Sequence, residues 1–67
     1  MTLDERAKEL QDQFPSEGLA LKQCRIAVSL LDFDYNWLGV AGGVIDLSRD
    51  FGETSEMISI NKEGETK

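Results

Sequence analysis

The side chains that could do chemistry are few. Cys24 is the single thiol, the 67 residues include no histidine, and thirteen Asp and Glu outnumber seven Lys and Arg. A cysteine nucleophile needs a base or a cation to hold it as thiolate, and only Arg25 adjoins Cys24 in sequence. Cys24 therefore reads as a small core residue. Asp32, Asp34 and Asn36 place oxygen-bearing groups at alternate positions, as the first three ligands of a calcium loop would stand. The sixth position of such a loop, where a glycine makes the sharp turn, is Trp37, and the twelfth, where a bidentate glutamate belongs, is Gly43. Gly39, Gly42 and Gly43 lack the following Lys and Ser or Thr of a phosphate-binding loop. No catalysis, metal site or cofactor is expected.

The charge balance narrows the partners. A net charge of −6 and a pI near 4.4 repel phosphate backbones and anionic lipid, so unassisted nucleic-acid binding is disfavoured. The acidic excess is spread along the chain with no acidic tail, which serves solubility and attracts a basic partner. One cysteine allows no disulfide framework, so a reducing, cytoplasmic setting is expected. No apolar run approaches the ~20 residues of a membrane span.

These residues must be positioned by a single small core, the most that a chain of this length supports. Thr2 and Glu5 have capping-box spacing, and Leu3, Ala7, Leu10 and Phe14 follow as one apolar stripe that Pro15 ends. A second helix is expected from a Ser16 cap to about Leu31, with Leu21, Cys24, Val28 and Leu31 on its inner face. Asp32–Trp37 then forms a tight connection, and Asp34 caps a third helix carrying Leu38, Ala41 and Ile45 at helical spacing. Gly39, Gly42 and Gly43 would together cost that helix roughly 3 kcal/mol relative to alanine. They need a reason, either close approach to a neighbour or a turn within the segment. The expected fold is all-α: a three-helix bundle over residues 1–50, then a polar tail over 51–67. That tail is flexible or ordered by a partner, with room for one short strand at Met57–Ile60.

Two likenesses follow from these residues. Cys24–Val28, Phe33–Leu38 and Val40-Ala41, with a first helix ending in Phe14-Pro15, resemble the helices of ubiquitin-associated (UBA-like) domains, including the CUE and elongation-factor-Ts types. The resemblance implies a partner docking on the loop after the first helix and the end of the third, here Phe14, Pro15, Ile45 and Leu47. Trp37 joins them as surplus apolar surface at a helix end. Leu38-Gly39-Val40 followed by Ala41–Ile45 also looks like the turn of a helix-turn-helix, although Arg49 would be its one cation.

The favoured function is a small acidic module that binds another protein through Phe14, Pro15, Trp37, Ile45 and Leu47. The alternatives are a helix-turn-helix DNA binder and an acidic inhibitor of the phage or accessory kind. Such an inhibitor would block a nucleic-acid-binding protein through Asp32, Asp34 and Asp46.

Overall fold

The computed structural model describes residues 2–66, and its elements are two helices followed by a three-stranded antiparallel meander. The all-α expectation is thereby overturned, and with it the UBA-like resemblance and the helix-turn-helix: the residues assigned to a third helix form two strands and their turn.

Helix α1 (Leu3–Gln13) starts from its capping box: the Thr2 hydroxyl accepts from the Glu5 N–H at 3.2 Å, and the Glu5 carboxylate accepts from the Thr2 N–H at 3.3 Å. Phe14 leaves helical geometry ahead of Pro15, and Pro15–Glu17 continue as one 3-10 turn. Gly18, at φ +63°, then redirects the chain. Helix α2 (Leu21–Leu31) consequently begins later than a Ser16 cap would place it. Its cap is Ala20, whose N–H donates to the Gln23 side chain at 3.1 Å. Arg6, near the start of α1, forms a two-pronged pair with Asp32, at the end of α2, so the helices run antiparallel. Asp4 pairs likewise with Arg25 at 2.7 Å. These pairs are exposed and set orientation more than stability. Small Ala7, Cys24 and Ala27 are fully buried, which lets the helices approach closely.

Asp34 takes φ +67°, a left-handed conformation that Asp tolerates, and so the Tyr35 N–H returns to the Leu30 carbonyl. It ends the α2 corner and caps no third helix. Strand β1 (Asn36–Ala41) turns through Gly42 and Gly43 into β2 (Val44–Phe51). Both glycines have positive φ, as the two central residues of a type I′ hairpin turn must. The turn, and not helix packing, is why they are glycine. Gly42→Ala and Gly43→Ala are each expected to destabilise by about 1 kcal/mol, where the same changes inside a helix would stabilise. Urea denaturation checks the sign. The loss at both positions comes from the positive φ, since the Lys62 side chain that a Cβ on Gly43 would meet is flexible and can swing aside.

Strand β3 (Thr54–Ile60) pairs with β2 along its length, from Ile45↔Ile60 to Phe51↔Thr54. The segment expected to be a tail is thus one third of the sheet. Val40, Ile45 and Ile60 share a rung on the inner face, as do Trp37, Leu47 and Ile58. Ala7, Leu19, Cys24, Ala27, Ile45, Leu47 and Ile60 form the buried core between helices and sheet. Cys24 and Val28 are buried as their place on the inner face of the second helix indicates, whereas Leu38 and Ala41 are exposed.

The sheet is locked to α2 by Gln23. Its amide, completely buried, donates at 2.8 Å to both the Gly43 and the Ile60 carbonyls. Glu17 adds a carboxylate that accepts from the Gly43 N–H at 2.9 Å. No helix among the described residues is long and apolar enough to cross a membrane.

Candidate functional site

The residues expected to bind a partner divide between surface and core. Phe14 and Trp37 meet, with ring centroids 5.7 Å apart and planes 23° from parallel, and Pro15 follows at the exposed start of the 3-10 turn. Ile45 and Leu47 are 0% exposed, because alternation in β2 points both under the helices. They hold the fold together and offer nothing to a partner. The three aspartates are not gathered either. Asp32 is engaged by Arg6, Asp34 forms the corner, and Asp46 accepts from Ser59 at 2.7 Å on the sheet face away from the helices.

What the fold brings to the surface beside the Phe14–Trp37 stack is the free edge of β1. In a two-residue hairpin the closing pair, Ala41 and Val44, exchanges its hydrogen bonds, so Val40 turns its N–H and C=O toward the open edge. Trp37 is 36% exposed and Leu38 is 53% exposed. No charged residue stands between Asp34 and Asp46, the longest uncharged stretch of a chain that is 30% charged. Edge strands are ordinarily blunted by lysine, proline, a bulge or a covering element. Here there is one device, a bulge between Trp37 and Gly39 with Leu38 as the extra residue. The opposite edge, on β3, carries Glu56 and is bridged at Ile60 by Thr66.

Leu38, Gly39 and Val40 are the members of this surface that the helical reading missed. The available signal was Gly42-Gly43 between two valine-containing runs, a strong short-range mark of a hairpin.

Elsewhere the polar groups are structural. The Arg49 guanidinium lies between the Tyr35 and Phe51 rings, 4.6 and 4.4 Å from their centroids. Glu56 accepts from the Tyr35 hydroxyl at 2.7 Å and stands 3.7 Å from Arg49, and its hydrogen bond raises the Tyr35 pKa above the usual tyrosine value. Arg49 is therefore spent inside the molecule, stacked between rings. Burial pushes the Cys24 thiol up, which keeps it protonated and unreactive. Among the described residues no three His, Cys, Asp or Glu side chains converge as metal ligands. Along the outer side of α1, Asp4, Glu5, Lys8, Glu9 and Asp12 line a shallow open depression. Comparison with protein-family models, curated proteins and solved structures finds no match to this chain.

Proposed function

We propose that the protein is a non-catalytic binding module whose docking element is the outer edge of β1, flanked by Trp37, Leu38 and the Phe14–Pro15 corner. The observation that carries this reading is an exposed edge strand without a single charge on a chain of net charge −6. Such an edge accepts an extended segment by strand addition: main-chain hydrogen bonds supply affinity, and neighbouring apolar side chains supply selectivity.

A second reading has its own support in the carboxylates of α1, Asp4, Glu5, Glu9 and Asp12, which could occupy the basic site of a nucleic-acid-binding protein. One experiment separates the two. The partner is recovered by affinity capture from the native host, and its binding is measured for Leu38→Lys and for the double variant Glu5→Lys/Glu9→Lys. Strand addition requires Leu38→Lys to weaken binding by about tenfold or more while the melting temperature stays within a few degrees, since edge lysine blocks pairing and Leu38 is outside the core. Unchanged binding by Leu38→Lys, together with loss in the double variant, would replace strand addition with the acidic-inhibitor reading.

A further inference from the structure

We infer that Arg49 and Glu56 form a latch that Tyr35 holds open, and that closing it loosens the start of β1. The latch stands on its own geometry, and its bearing on docking rests on the reading of the β1 edge as the docking element.

The first observation is an orphan donor. Nε of Arg49 is buried without a hydrogen bond, the one buried side-chain donor or acceptor among the described residues left in that state. A buried donor without a partner is costly and calls for a reason. Here a partner stands close by. Nε and Nη2 form one edge of the guanidinium fork, which matches the two oxygens of a carboxylate. Glu56 is the cross-strand partner of Arg49, and its Oε2 lies 3.7 Å from Nη2, just beyond hydrogen-bond length. Rotation of this partly exposed side chain would seat its carboxylate on the Nε–Nη2 edge.

The second observation is what holds the carboxylate back. The Tyr35 hydroxyl donates to Glu56 Oε1 at 2.7 Å. Tyr35 lies one residue ahead of the Asn36↔Ser48 pair, so this bond reaches from the lead-in of β1 across β2 to β3. The guanidinium cannot follow, because the rings of Tyr35 and Phe51 hold its two faces at 4.6 and 4.4 Å. One carboxylate position therefore does not serve both groups: where Tyr35 holds it, Nε is bare. In the other position Arg49 is satisfied, and Tyr35 keeps only its backbone bond to Leu30 at the corner. Each position carries a charge-assisted hydrogen bond, so the two are closely balanced. Closing the latch gives up the tie that fixes the start of β1 beside Trp37 and Leu38, and so regulates the docking edge.

Tyr35→Phe tests this, since it keeps the ring over Arg49 and removes the hydroxyl. Nuclear magnetic resonance of the free chain reads the Arg49 Nε–H directly. In the variant its proton should move downfield as it gains a carboxylate, and adding Glu56→Ala should return it to the wild-type position. Hydrogen exchange of the amide at position 35, which bonds the Leu30 carbonyl at 3.3 Å in the parent, should quicken about tenfold. The melting midpoint should stay within about two degrees, because the new pair offsets the lost bond. An Nε–H resonance that Tyr35→Phe leaves in place overturns the latch, as does a shift that persists with Glu56→Ala. Unchanged exchange at position 35 overturns the loosening of β1. No partner enters these measurements, so the outcome of Leu38→Lys on captured-partner binding stands or falls separately.

Discussion

Replacing Gln23 with leucine is expected to destabilise the fold by about 2–4 kcal/mol, although leucine is apolar, close in size and a better neighbour for a core. The loss comes from the groups left behind. Gln23 is fully buried and satisfies three backbone partners: it accepts from the Ala20 N–H and donates to the Gly43 and Ile60 carbonyls. The two carbonyls, at the β1–β2 turn and the end of β3, would both lose the amide donor. A buried acceptor stripped of its partner costs ~1–3 kcal/mol. In a domain this small each kcal/mol moves the midpoint by roughly 4–8 °C, so thermal unfolding followed by circular dichroism should show a fall of ten degrees or more. A shift of under about three degrees would mean that the clamp contributes nothing beyond its volume.

Leu47→Asp should abolish folding. Leu47 is 0% exposed in the core cluster, between Trp37 on one neighbouring strand and Ile58 on the other. No cation adjoins it there, so an ionised carboxylate would be buried unpaired at a cost of several kcal/mol, comparable to the whole stability of a small domain. An exposed docking patch would instead tolerate this change with little effect on melting. The amide spectrum of the variant decides: collapse to unfolded shifts follows from a core position, and native dispersion would remove Leu47 from the core.

The helical half of the chain was legible because its signals are local. Thr2 with Glu5, the stripe ending in Phe14, and Pro15 each act within a turn of themselves. The sheet was not, and the bulge explains why. In a regular strand Trp37 and Val40 would face opposite sides, but the extra residue Leu38 puts both on the inner face, and the two-residue turn places Ile45 and Leu47 there as well. The inner-facing residues are then spaced by three, five and two, which hides the period of two, while exposed Leu38 and Ala41 supply with Ile45 a helical spacing of three and four. Local alternation through Val44, Ile45, Asp46 and Leu47 was the better guide. Of the expected site, the pairing of Phe14 with Trp37 could be suspected from their character as surplus apolar residues. The free edge could not, because which strand lies at an edge depends on sheet order, a property of the assembled chain.

Gln23 also marks where the two halves of the molecule join in time. The helical hairpin over 3–31 and the meander over 36–60 are each built from sequence neighbours, so each closes only short loops. The bonds from Gln23 span 20 and 37 residues and belong to the later docking of one half on the other. Until that docking, the meander presents Ile45, Leu47 and Ile60 on a bare apolar face beside an uncharged edge, the surface on which misassembly begins. Synthesis from the N-terminus delivers the helices first, so the growing chain carries its own cover before the vulnerable strands emerge.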